Sequence, residues 1–259
     1  MTSTTLVTGG TGTIGRLVVP LLRDAGHTVR VLTRRGGRPA DGVEHVTGDL
    51  LDGRDTAALV RGCDTVLHLA GGPKGDDVAT RHLVQAAAET GVRHLVLISV
   101  IGAPTMPIGY FRAKRGAEEA VTAVPWTTVR VAQLHDLAYT VVSKLARLPV
   151  IPAPRGLRFQ PVDAHDVAAR LVELTLGAPA GLVPDLAGPR TYDLAELTRT
   201  YLRATGRRRP LLPVRLPGAA GRAYRAGENL ARPGATTGTG TWEAFLAATL
   251  RSATTVSSR

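Results

Sequence analysis

Cysteine occurs once in this chain, at Cys63, so no internal disulfide can form and a reducing compartment is expected. That single thiol reads as a small, partly buried apolar residue rather than a nucleophile. Aromatic residues make up only 4% of the 259 residues, too few to build the stacking platforms that hold single-stranded nucleic acid. No apolar run approaches the ~18 residues a membrane span requires. The first residues show no basic stretch leading into an apolar segment and a cleavage site. The histidines are scattered without metal-ligand spacing. Together these absences predict a cytoplasmic protein with no metal, no membrane and no nucleic acid among its partners.

Positive charge is plentiful, with a formal net charge of +11. It comes from arginines spread along the chain, with clusters at Arg34-Arg35-Arg38 and Arg207-Arg208-Arg209. A nucleic-acid binder would gather such charge on one recognition element. Most of it therefore reads as solvated surface.

The first fifteen residues organise the rest. An apolar run ending in Leu6-Val7 leads into Thr8-Gly9-Gly10-Thr11-Gly12-Thr13-Ile14-Gly15, and Leu17 to Leu22 then carry helical spacing. Strand, glycine turn and helix in that order, with Gly10-x-Gly12-x-x-Gly15, form a dinucleotide-binding fingerprint. One glycine permits the tight turn, one lets the backbone approach a pyrophosphate, and one lets the helix lie close to the strand. The helix N-terminus offers free N–H groups and partial positive charge to the phosphates.

Further strands are expected at His27–Leu32, Val43–Val46, Thr65–Ala70, Leu95–Ile98 and Trp126–Val131. Helices are expected at Asp52–Arg61, Asp77–Thr90 and from Tyr110 onward. This alternation predicts an α/β fold, a doubly wound parallel sheet whose ligands bind beyond the strand C-termini. Beyond the second strand, where an NAD-preferring chain would carry an acid for the ribose 2′-hydroxyl, Thr33-Arg34-Arg35 stand instead. An arginine pair suits a 2′-phosphate, so NADP(H) is expected over NAD(H).

Ser99 follows the fifth strand directly. Tyr110 and Lys114 then stand at i and i+4 on one helix face. An ammonium beside a phenol favours phenolate and lowers the tyrosine pKa toward working pH, fitting it to exchange a proton with a carbonyl oxygen that the serine hydroxyl also holds. Hydride must come from a nicotinamide, since no side chain supplies one.

With these motifs in place, the chain resembles the atypical short-chain dehydrogenases/reductases, in their NmrA-like or NAD(P)H-binding branch. Thr8–Gly15, Gly48-Asp49-Leu50, Ser99–Gly102, Tyr110–Lys114, Pro125–Arg130 and Gln160–Asp163 carry the resemblance. It implies that Gly9, Gly12, Thr13, Ile14 and Gly15 line the pyrophosphate and that Arg34 and Arg35 meet the adenosine phosphate. Asp49 and Leu50 would flank adenine, and Ala70 and Gly71 the ribose. Ser99, Tyr110 and Lys114 match the superfamily's catalytic group. Similar enzymes draw the substrate wall from their second half, which makes Gln133, His135 and Tyr139 candidates. The superfamily often adds an asparagine before the fifth strand, whereas the only asparagine here is Asn229.

The expected activity is NADPH-dependent reduction of a small or medium carbonyl or quinone-like molecule. A non-catalytic NADP(H) sensor is the alternative, and a sugar-nucleotide epimerase or dehydratase is a third. Residues 1–185 are expected to form the nucleotide-binding domain and 186–250 a small lobe closing over the substrate. Pro233–Gly240 are expected to be a mobile loop, and 251–259 a disordered tail.

Overall fold

The computed structural model describes residues 3–37, 42–72 and 74–257. Arg38, part of one expected arginine cluster, lies outside the described residues, as do Ser258 and Arg259.

The N-terminal half alternates strand and helix. β1 (Thr4–Thr8) leads to α1 (Gly15–Asp24), then β2 (Thr28–Thr33), β3 (Val43–Thr47), α2 (Thr56–Val60) and β4 (Thr65–His68). α3 (Asp76–Thr90), β5 (His94–Val100), α4 (Gly109–Val121) and β6 (Trp126–Val131) follow. α2 is shorter than the helix expected over Asp52–Arg61: Asp52 and Arg54 pair side chain to side chain ahead of it, and Asp55 takes a left-handed backbone.

The strands lie in the order β3-β2-β1-β4-β5-β6, all parallel. Strand order reverses between β1 and β4, which pair from Thr5↔Thr65 to Thr8↔His68. A crevice therefore opens at the C-terminal ends of these two strands, where ligands of open α/β sheets bind.

Alternation along the strands fills both faces of the sheet. Val7, Leu67, Val96 and Ile98 point to the side covered by Val18 and Leu22 of α1, while Leu6, Val66, Leu95 and Leu97 meet Leu83 and Ala87 of α3 and Val121 of α4. Cys63 is buried in this second layer and burial pushes its thiol up, which agrees with an apolar filler.

The second half comprises α5 (His135–Leu145), β7 (Ile151–Pro154), β8 (Arg158–Phe159), α6 (Ala164–Leu176), β9 (Gly181–Leu182), β10 (Leu186–Ala187) and β11 (Tyr192–Asp193). After these come α7 (Leu194–Ala204), β12 (Leu211–Val214), α8 (Gly218–Ala226), β13 (Thr236–Thr237) and α9 (Trp242–Ser257). The Asp163 carboxylate caps α6 by accepting from the His165 N–H at 2.8 Å.

Residues 186–250 interleave with the chain before them. β10 and β13 extend the central sheet beyond β6, whereas β11 and β12 pair with β8 and β7. Trp242, Tyr192, Leu197 and Val142 form a separate apolar core there. Pro233–Gly240, expected to be mobile, is tied down. Its β13 joins β10, and the Asp166 carboxylate accepts from the Thr239 and Gly240 N–H groups at 2.8 and 3.0 Å. α9 likewise continues to Ser257, through most of the segment expected to be disordered.

Candidate active site

The glycine turn is shaped by close approach. Gly9 has φ +70°, and a Cβ there would stand 2.7 Å from the Ala70 nitrogen. A Cβ on Gly15 would stand 2.4 Å from the Gly9 carbonyl oxygen and 2.5 Å from the Gly10 Cα. Both neighbours are backbone and cannot yield, so only glycine lets α1 begin this close to β1.

Beyond the turn lies a cleft of about 550 Å³ lined by Gly9, Gly12, Arg34, Asp49, Leu50 and Ala70, with Gly71 at its inner end. These seven were all expected from the sequence. Thr13, exposed, Ile14, half-buried, and Gly15, buried as the first residue of α1, are not part of the lining, and Arg35 is exposed outside it. Thr11 and Lys74 also line the cleft and were not anticipated. Thr11 fills a variable place in the glycine fingerprint, and Lys74 lies in a loop that no spacing rule marks.

A buried polar chain fixes the floor of the cleft. The Thr80 hydroxyl donates to the Asp76 carbonyl at 2.6 Å, so it must accept from His68 Nε2–H at 3.1 Å. His68 Nδ1 then accepts from the Thr8 hydroxyl at 2.7 Å, and that hydroxyl accepts from the Ala70 N–H at 3.1 Å. Every member has one role, which assigns the neutral Nε2–H tautomer. Burial, with a smaller contribution from Lys114, lowers the His68 pKa to about 3.

A second cavity, of about 590 Å³, adjoins the cleft. The two share Leu69, Gly71 and Gly72. Ser99, Tyr110, Lys114 and Gln133 all lie on its wall, so β5, α4 and the segment after β6 converge as the sequence suggested. Ser99 and Gln133 each bring a buried oxygen with no protein partner, Oγ and Oε1 respectively. The other two expected substrate residues lie elsewhere. His135 is fully buried against Trp242 and Phe245, and Tyr139 stacks edge-on against Tyr201 and Phe245. Both side chains serve the C-terminal core instead, because α5 turns one face to the cavity and another to α7 and α9.

The electrostatics of the Tyr110–Lys114 pair differ from expectation. Lys114 Nζ stands 3.0 Å from Asp76 Oδ2 with both side chains buried, and Asp76 Oδ1 accepts from the Gly72 N–H at 2.6 Å. The Tyr110 pKa is raised, first by burial and then by the Asp76 carboxylate, rather than lowered by the ammonium. Lysine is engaged by an acid that the sequence reading missed. Asp76 is the first residue of α3 and its only sequence signal is an Asp-Asp helix start, which a capping role explains equally well.

The glycine cradle, the crevice at the strand-order switch and the adjoining cavity are the parts a nicotinamide dinucleotide needs, and the residues present fit it. The family model described as NAD(P)H-binding matches residues 9–175. The chain belongs to this NAD(P)H-binding family. That places it among the atypical short-chain dehydrogenases/reductases, in their NAD(P)H-binding branch. A reductase of (4-alkanoyl-5-oxo-2,5-dihydrofuran-3-yl)methyl phosphate from Streptomyces griseus is 34% identical over 211 residues, spanning 78% of this chain and 74% of the relative. An NAD(P)H azoreductase from Xenophilus azovorans is 30% identical over 212 residues, with the same coverage of 78% and 74%. Among solved structures, a nucleoside-diphosphate-sugar epimerase from Staphylococcus aureus superposes with a TM-score of 0.78 at 19% identity, over 95% of this chain and 99% of that one. An NADPH-dependent quinone oxidoreductase from Escherichia coli does so at 0.74 and 16% identity, also over 95% and 99%. At such identities these structures establish the Rossmann-type fold of the NAD(P)H-binding family member and nothing about its substrate.

Proposed function

We propose that this protein is an NADPH-dependent reductase of a small or medium carbonyl or quinone-like compound. The observation that carries the reading is the junction at Gly71-Gly72, where the dinucleotide cleft opens into a cavity walled by Ser99, Tyr110 and Lys114. Its curated relatives from Streptomyces and Xenophilus are reductases, which supports the same direction of chemistry.

When bound, the reduced nicotinamide would supply hydride to the substrate carbon. The chain's own part is to place the substrate oxygen and deliver a proton to it. Tyr110, with its pKa raised, is a phenol at neutral pH and therefore holds the proton that reduction requires. The partnerless Ser99 hydroxyl is the second group available to that oxygen. Lys114, fixed by Asp76, holds positive charge where the two chambers meet. At the far end of the cleft, Arg34 offers a guanidinium for the 2′-phosphate, and no acid on β2 opposes it.

Replacement of Tyr110 by Phe tests the reading. Turnover should fall by a factor of about 100 or more, while NADPH affinity measured by calorimetry stays within about twofold. Full activity in that variant would remove Tyr110 from the mechanism.

A further inference from the structure

The chain has 32 lysines and arginines, yet among the described residues Lys114 alone of them reaches the cavity wall, and it is already paired with Asp76. Among the described residues, no unpaired charge of either sign faces the cavity. The other polar groups on the wall, Ser99, Tyr110, Gln133 and Tyr224, are uncharged, and burial raises both phenols further from ionisation. Leu69, Ile98, Val100, Phe111, Leu134 and Phe159 make up much of the remainder.

The apolar surface also continues outward. Leu137 and Val141, one turn apart on α5, line the cavity yet are 53% and 39% exposed. They form an apolar lip, placed so that a chain leaving the cavity would lie along them.

We propose that this cavity selects an uncharged carbonyl compound with an extended apolar tail, seated against Leu134 and Phe159 and leaving over Leu137 and Val141, and that it rejects substrates whose phosphate or carboxylate would lie within the chamber. The inference rests on the reductase reading above and narrows it. An anion inside this chamber would lose its hydration with no free cation to replace it. A methylene instead gains about a factor of four in binding when buried.

The test uses the full chain saturated with NADPH and a series of methyl ketones from butanone to decanone, with 4-oxopentanoate and 3-oxobutyl phosphate, short enough to keep their charge inside the chamber, as anionic counterparts of pentanone. The expected result is kcat/KM rising about fourfold per methylene until the cavity is full, and both anionic compounds falling about a hundredfold below pentanone. Leu137→Lys, at a position exposed enough to tolerate the change, should lower kcat/KM for decanone by about tenfold, because it removes part of the apolar lip, while butanone stays within about twofold. Rates independent of chain length, or an anionic ketone reduced as well as pentanone, would overturn the proposal while leaving the reductase reading intact. If neither the ketones nor a simple benzoquinone is reduced but alkanols from butanol to decanol bind the NADPH-loaded protein with affinity growing along the series, the reductase reading fails and the selectivity stands.

Discussion

Replacing Asp76 by Asn keeps the side-chain shape and the oxygen that accepts from Gly72, but removes the charge facing Lys114. The ammonium, on a side chain only 7% exposed, is then left without its partner. Breaking a buried pair in this way costs ~3–5 kcal/mol. The lower end applies here, since the cavity beside Lys114 gives access to water, so about 3 kcal/mol is expected. For a chain of this size each kcal/mol moves Tm by about 2–4 °C, giving a drop of roughly 6–12 °C in calorimetry at neutral pH. A cycle with Lys114→Met and the double variant separates pairing from packing. Removing both charges should be nearly neutral, so the double variant should melt well above either single one. The same carboxylate raises the Tyr110 pKa, so Asp76→Asn should also move the alkaline limb of the activity profile to lower pH. Additive losses in the cycle, or a Tm within a degree or two of the parent, would refute the view that the pair is buried and coupled.

Acid should destabilise the fold through His68. Its folded pKa of about 3 lies below the unfolded 6.5, so the unfolded chain binds the extra proton first. The contribution is complete above pH 6.5 and is lost as pH falls toward 3, by ~1.4 kcal/mol per unit; a His68→Gln variant should flatten that slope in urea titrations. Gly15→Ala places a methyl group against backbone at 2.4 Å and should abolish saturable NADPH binding in calorimetry. Arg34→Ala should weaken NADPH by roughly tenfold to a hundredfold, with little change for NADH; equal losses for both cofactors would remove Arg34 from the 2′-phosphate.

The fold and the nucleotide cleft were legible because their signals are local. The glycine spacing at Gly10, Gly12 and Gly15 answers to steric limits within one turn, and the apolar strands announce themselves through composition. Gly9, Arg34, Asp49 and Ala70 follow from those strands, since each stands just beyond a strand's C-terminal end. That Ser99, Tyr110 and Lys114 share one cavity wall follows in the same way, one standing at the end of β5 and two on one face of the next helix.

What the chain alone did not yield depended on contacts between distant segments. Lys114 meets Asp76 across two elements, and that meeting reverses the direction in which Tyr110 shifts. His135 and Tyr139 carry the chemistry of pocket residues, yet the docking of α7 and α9 onto α5 decides which face they occupy. The loop at Pro233–Gly240 looked mobile by composition, until Asp166 was found holding its backbone. Local sterics and periodicity are written in consecutive residues. Pairing, burial and the electrostatics they set exist only once the chain has closed on itself.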